Sequence, residues 1–318
     1  MSDLSVIVPM HNAEAFLPTC LATLRANDAD GRRFILVDDA STDQTPELLE
    51  RAASEMPGIR VLTNSGNVGA WGSRNAAHAL VDTRYITYLD VDDWLAPGHL
   101  DRLEAAIVDL GVDVVRTDHV RVDGLARTLV RAPERRRSIG YPAQEAIGPA
   151  GRRAVVDYPF LWAGIYDVTR IGRENLDFDA TMRTAADRPW FWRLYMTAGT
   201  AAVVDLHGVF YRKTANVGAL TQAGNESTLH IIDAFARVRD LVVASGREDW
   251  TARAAASAAD MVTFHVARRA RLSPELRREL YRRAGDLLRS FPDDARAAGV
   301  ATLPREQRAV IRRILGAS

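Results

Sequence analysis

Short, unbroken apolar runs alternate with helical patterns through the first ninety residues, and no other feature limits the possible folds as tightly. Leu4–Pro9, Phe34–Val37, Ile59–Leu62 and Tyr85–Leu89 are β-rich runs. Between them Ala13–Ala26, Pro46–Ser54 and Gly69–Leu80 read as helices. Ser41, Thr42 and Asp43 offer capping oxygens before the second of these, and Pro46 suits a first helical turn. Strands that are apolar throughout, rather than alternating, are covered on both faces. The chain is therefore expected to be α/β, with a Rossmann-like, mostly parallel sheet carrying helices on both faces.

In sheets of this kind ligands bind beyond the carboxyl ends of the strands. Three of the four runs end in polar residues: His11-Asn12, Asp38-Asp39 and Asp90-Val91-Asp92-Asp93. Clustered carboxylates repel one another unless a cation or hydrogen-bond donors offset them. The aspartates after the fourth strand thus suggest a hard divalent metal and a phosphorylated ligand. Alone, the motif reads equally well as an acidic turn before a helix near Pro97. Convergence of the strand ends favours one functional cleft.

The formal net charge is zero, yet its distribution is uneven. Residues 1–224 carry 24 basic and 29 acidic side chains, and residues 225–318 carry 17 and 12. All cations but Lys213 are arginines, and the single cysteine, Cys20, excludes an intrachain disulfide. No apolar run approaches the roughly 18–20 residues that span a bilayer. A strand begins almost at the N-terminus with no signal-like segment before it, so a cytoplasmic protein is expected.

Residues 124–155 lose periodicity and read as a long mobile loop. Its Arg135-Arg136-Arg137 run is either a solvated surface or a contact for an anionic acceptor. Helical patterns follow near 227–245, 250–271, 273–290 and 304–315, with Gly246 and Gly299 as breaks. Two domains are expected: 1–224, with a donor half to about 120 and an acceptor half after it, and a helical region over 225–318. The arginine-rich final helices admit three readings: docking on anionic lipid at the inner membrane face, a homo-oligomer contact, or packing on the first domain with solvated arginines. Nucleic-acid binding is disfavoured, because no aromatic-basic motif accompanies the charge.

The ordered series VIVPMHN (6–12), VDDASTDQT (37–45), NSGNVGAWGSRN (64–75), YLDVDD (88–93) and ADRPW (186–190) resembles the family 2 glycosyltransferases of GT-A fold. The likeness covers residues 4 to about 216. It implies inverting, non-processive transfer of one sugar from a nucleotide-diphosphate sugar, a UDP-sugar ahead of dTDP- or GDP-sugars. The acceptor would be a glycan, a lipid-linked molecule or a small molecule. The resemblance makes Asp92 the direct ligand of Mg2+ or Mn2+, with Asp90 on the ribose or the metal's water shell. Asp93 is left between metal support and helix capping. Asp39 would accept the base ring NH, with a helix-capping turn residue as the alternative that Asp43 or Ser41 fits better, while Pro9, His11 and Asn12 wrap the base and Asn67 lies in the donor-binding stretch. Arg74 and Arg212 would meet the diphosphate, Arg74 with the alternative of pairing with a nearby aspartate. Asp187 corresponds to the general base.

Two positions depart from the family pattern. Ala186 replaces a glutamate usual before the base, and Thr214 stands where a histidine is common after Tyr211-Arg212; His207 is a weak substitute. These departures motivate a rival reading, a non-catalytic sugar-nucleotide-binding or scaffold protein of the same fold. A nucleotidyltransferase would carry a glycine-rich basic loop after its first strand, and Pro9-Met10-His11-Asn12 is not one.

Overall fold

The computed structural model describes residues 1–213 and 224–316. They form two compact units, neither of which is a single run of sequence. The described residues of the first are 1–145, 158–181 and 194–213, and those of the second are 146–157, 182–193 and 224–316.

In chain order the first unit opens with β1 (Leu4–Met10), α1 (Leu17–Arg25), β2 (Arg33–Asp38), α2 (Thr45–Glu55) and β3 (Ile59–Thr63). It continues with α3 (Gly69–His78), β4 (Tyr85–Tyr88), β5 (Trp94–Leu95), α4 (His99–Leu110), β6 (Val114–Thr117) and β7 (His119–Asp123). Then come β8 (Ala126–Val130), β9 (Tyr141–Pro142), β10 (Gly164–Asp167) and the short α5 (Val168–Ile171). The chain crosses between units within α6 (Asp187–Thr197), and β11 (Thr200–Val204) and β12 (Val209–Arg212) complete the first unit.

The large sheet has the order β3-β2-β1-β4-β10-β6-β11-β9. Strands β1 to β4 are mutually parallel, as the unbroken apolar runs imply. Every residue of β1 is buried, as is β2 after Arg33, so both faces of the sheet centre are covered. The edge strand β3 alternates instead. Antiparallel β10 sits between β4 and β6 and makes the sheet mixed. Its four residues, Gly-Ile-Tyr-Asp, show no pattern that would fix direction or position.

A second sheet has the order β5-β12-β7-β8. Here the expected long loop over 124–155 is corrected: β7 and β8 form an antiparallel hairpin turning at Gly124, and β9 joins the large sheet. None of the β8 residues is buried, so the segment lacks the apolar alternation that announces a strand. Two of the three clustered arginines are structural. Arg136 pairs with Glu134 and Glu145 and covers the Tyr141 ring, and Arg137 pairs with the buried Asp118.

The second unit is mainly helical, with α7 (His230–Ala244), α8 (Glu248–Ala267), α9 (Pro274–Arg289), α10 (Asp293–Ala301) and α11 (Arg305–Gly316). Gly246, at φ +68°, ends the turn after α7 as expected. Gly299 does not break a helix; it lies inside α10, where a Cβ would sit 2.5 Å from the Ala252 carbonyl of α8. It is there to let two backbones approach. The arginines of α9 are largely matched by acids: Arg278 with Glu275, Arg282 with Glu279 and Asp286, Arg283 with Asp233, and Arg289 with Asp286. In α11 Ile311 and Ile314 are buried, so that side of the basic helix is already covered. No described helix is long and apolar enough to cross a membrane.

Candidate active site

The β1–β2 and β1–β4 registers bring the carboxyl ends of three strands to one edge of the sheet. The Asp39 amide donates to the Met10 carbonyl at 2.8 Å and the Leu89 amide to the Ile7 carbonyl at 3.0 Å, so the loops leave side by side. His11 and Asn12 then fasten the first loop to the second. His11 Nδ1 lies 2.9 Å from the Asp39 carbonyl, and Asn12 Oδ1 accepts from the Thr42 amide at 2.8 Å. Both side chains are exposed and Asn12 has φ +49°, a left-handed conformation that asparagine tolerates. Pro9 is buried within β1, and the exposed Asn67 brings its side-chain amide within 3.5 Å of the same Asp39 carbonyl.

Asp39 is 3% exposed and its carboxylate is heavily engaged. Oδ1 accepts from Asn64 Nδ2 at 2.8 Å and the Val68 amide at 2.9 Å, and Oδ2 accepts from the Gly69 amide at 2.7 Å. It therefore caps the start of α3, a helix that begins thirty residues later. A carboxylate offers about four lone-pair directions, so one acceptor position on Oδ2 stays available to a ligand donor.

Arg74 projects from α3, is 3% exposed, and ion-pairs with Asp90. Its guanidinium lies 4.8 Å from the Trp71 ring centre and 5.9 Å from that of Tyr88. Both readings of Arg74 stay compatible, since its aspartate partner stands at the acidic turn. Asn75, which follows Arg74 on α3, is structural: its side-chain amide donates to the Phe178 carbonyl and its Oδ1 accepts from the Phe178 amide, each at 2.8 Å.

The turn after β4 closes with the Asp93 amide on the Asp90 carbonyl at 3.0 Å. Asp90, Asp92 and Asp93 each offer an oxygen within 4.8 Å of the others. Burial and then the charge of Asp90 push the Asp92 carboxyl up to about 6. Burial, followed by Asp90 and Asp92, raises Asp93 well above the ordinary carboxylate range. Asp93 Oδ1 accepts from the Arg212 amide at 2.7 Å, whereas its buried Oδ2 has no hydrogen-bond partner among the described residues. Three all-oxygen ligands, mutual repulsion and a buried carboxylate oxygen without a donor together fit a hard divalent cation such as Mg2+ or Mn2+.

Arg212 reaches this turn from β12. Its Nε donates to the Asp92 carbonyl at 2.8 Å, and its guanidinium lies 4.8 Å from the Trp94 ring centre and 5.7 Å from that of Phe16. Trp94 in turn stacks on Phe210, with centroids 5.4 Å apart and planes within 2°. Cys20, buried in α1, has its thiol pushed up to about 12 by burial and by Asp93 and Asp92, which makes it an inert packing residue. His207 is exposed in the loop before β12, and Thr214 lies outside the described residues.

Sequence reasoning missed the packing around the two arginines. The Trp71-x-x-Arg74 spacing on α3 was a usable signal, because residues three apart on a helix are neighbours. Nothing local marks Trp94, Phe210 and Phe16 as one group. In the second unit Asp187 is the first residue of α6 and is half-buried; Ala186 before it is fully buried, and Ala185 has φ +65°.

Residues 5–156 match the family model described as glycosyl transferase family 2. The chain is 28% identical over 214 residues to the uncharacterized glycosyltransferase EpsJ of Bacillus subtilis strain 168, covering 67% of this chain and 61% of that protein. It is 26% identical over 234 residues to the uncharacterized glycosyltransferase YibD of Escherichia coli K12, covering 71% and 66%. The chain thus spans about two thirds or less of the length of these relatives. The crystal structure of Staphylococcus aureus TarS 1–349 in complex with UDP matches with a TM-score of 0.76 at 18% identity, over 99% of this chain and 87% of that one. The UDP-GlcNAc complex of the same protein matches with a TM-score of 0.74, over 99% and 88%.

Proposed function

We propose that this chain, whose residues 5–156 form a glycosyl transferase family 2 domain on a GT-A fold, moves a single sugar from a nucleotide-diphosphate sugar to an acceptor hydroxyl with inversion. A UDP-sugar is the favoured donor, supported by the fold's likeness to a protein crystallised with UDP and with UDP-GlcNAc. The observation that carries the reading is the meeting of Asp90, Asp92 and Asp93 with Asp39, Arg74 and Arg212 at one edge of the sheet.

Asp92 and Asp90 would hold Mg2+ or Mn2+, which when bound supplies Lewis-acid neutralisation of the departing diphosphate. Arg212 and Arg74 add fixed positive charge on the same side, and the aromatic rings beside them limit how far either can move. Asp39 offers its remaining acceptor position to the base ring NH; Pro9, His11, Asn12 and Asn67 form the surrounding wall. Asp187 takes the acceptor's hydroxyl proton as that oxygen attacks the anomeric carbon. The bond from that carbon to the diphosphate oxygen breaks, and the nucleoside diphosphate leaves with the electron pair.

A thermal-shift screen of nucleotide sugars with and without Mn2+ tests donor and metal together. Asp92→Asn should abolish both transfer and metal-dependent nucleotide binding, whereas Asp187→Asn should abolish transfer and largely spare binding. Full transfer by either variant sinks the assignment.

A further inference from the structure

The second unit holds a cavity of about 360 Å³ that the chemistry above does not use, in the size range of small-ligand sites. Arg152, Arg153, Arg188 and Arg253 line it, against Asp157 and Asp260, leaving two positive charges in excess.

Arg253, buried within α8, is fully committed. It donates to the Ile147 carbonyl at 3.1 Å, to Ser257 Oγ at 2.5 Å and to Asp157 Oδ2 at 2.5 Å. Asp157 also accepts from the Ala154 amide at 2.9 Å, so this pair clamps the 147–157 loop onto α8. Gly151 completes the arrangement: at φ +77° its absent Cβ would lie 2.7 Å from Thr302 Cβ, an approach open only to glycine. The loop is thereby held with Arg152 and Arg153 exposed at the rim.

Neither of these, nor Arg188, makes an ion pair among the described residues, while nearly every arginine of α9 does. Asp260 is met by the neutral Gln307 amide at 2.8 Å rather than by a cation. Leu303, Pro304 and Gln307 set the first turn of α11, a twelve-residue helix, in the wall, and the dipole there also favours an anion. Phe235, Met261 and Leu303 supply an apolar portion that suits the carbon skeleton bearing such an anion.

We propose that this cavity binds a phosphate group carried by the acceptor. The acceptor part of this inference rests on the glycosyltransferase reading; the anion site itself does not. The probes are inorganic phosphate and a glycerol-phosphate oligomer, titrated calorimetrically at low salt into the full chain. The proteins are wild type, Arg152→Ala/Arg153→Ala, and Arg312→Ala as an exposed cation outside the cavity. The oligomer should bind wild type and Arg312→Ala alike and the double variant at least tenfold more weakly, with free phosphate binding more weakly than the oligomer. Equal oligomer affinity in wild type and double variant, or no oligomer binding to wild type, overturns the site. Free phosphate binding as tightly as the oligomer overturns its assignment to the acceptor. Donor hydrolysis, measured in parallel, should be the same in wild type and double variant. Its absence from every protein, with oligomer binding intact, counts against the glycosyltransferase reading and leaves the anion site standing.

Discussion

The Asp93 carboxylate accepts a hydrogen bond from the backbone amide of Arg212, 119 residues further along the chain, at 2.7 Å. One carboxylate thus belongs both to the acidic turn and to the strand that delivers Arg212 to it. The two duties separate by substitution. Asparagine at 93 keeps an acceptor for the amide and removes a charge that Asp90 and Asp92 oppose. Metal-free Asp93→Asn should therefore unfold in denaturant at or above the wild-type midpoint, yet lose Mn2+-dependent stabilisation. Asp93→Ala should lose about 1–3 kcal/mol, because the Arg212 amide is left without its partner. An asparagine variant that is less stable than wild type and still responds to Mn2+ would contradict both assignments.

Two histidines give the first unit an acid-sensitive core. Burial, aided by Arg102 and His207, pushes His99 down to about 4, and burial with Arg116 and Arg121 pushes His119 down to about 3. A folded-state value below the ordinary 6.5 means that the unfolded chain binds more protons in that interval. The stabilisation is complete above 6.5 and is lost as pH falls toward 4. Each histidine contributes a slope of up to about 1.4 kcal/mol per pH unit there. Both His99 ring nitrogens are buried without hydrogen bonds among the described residues, so the ring serves as packing beneath Gly208. His99→Leu should flatten the decline between pH 6.5 and 4 in urea unfolding; an unchanged slope would show that His99 titrates normally.

The sequence exposed the parallel half of the large sheet because β1 and β2 are apolar on both faces and their lengths leave no helix alternative. It exposed the acidic turn as a candidate site through convergence, since Asp90, Asp92 and Asp93 follow a strand that runs parallel to two others ending in polar residues; alone they read equally well as a solvated turn. What stayed hidden depends on partners distant in the chain. Asp39 reads as a base ligand or as a cap in its own turn, and not as the cap of α3, because the amides it caps are those of Val68 and Gly69, beyond β3 in the chain. The hairpin of β7 and β8 stayed hidden because exposed β8 has no apolar face to set a period. Gly299 reads as a stop because a glycine in a helix pattern signals a break, and the α8 backbone packed against it lies more than forty residues earlier in the chain.

That packing makes its own prediction. A methyl at Gly299 would sit 2.5 Å from the Ala252 carbonyl oxygen and 2.8 Å from the Ala256 amide, both backbone atoms of α8. Backbone cannot rotate aside as a side chain can, so α10 must shift. Gly299→Ala should cost about 1–3 kcal/mol, the range of overpacking in a close-packed interior, despite alanine's better helix propensity. Chemical denaturation with helicity as the readout checks this; a neutral or stabilising effect would mean the two helices do not approach so closely.

Asp39 supports the sharpest separation of stability from binding. Three N–H donors converge on its carboxylate, from Asn64, Val68 and Gly69. Asparagine presents one acceptor and one NH2, so one of those positions becomes donor against donor in a buried site. Asp39→Asn should lose about 1–3 kcal/mol of stability, since a buried N–H goes unsatisfied at the start of α3. In the proposed site the same change turns the remaining acceptor on Oδ2 into a donor, and UDP should bind at least tenfold more weakly. Unfolding curves and UDP titration on the same preparation resolve the two effects. If stability falls while UDP affinity holds, Asp39 is a helix cap only; if affinity falls with stability intact, the three hydrogen bonds are not the ones that hold α3.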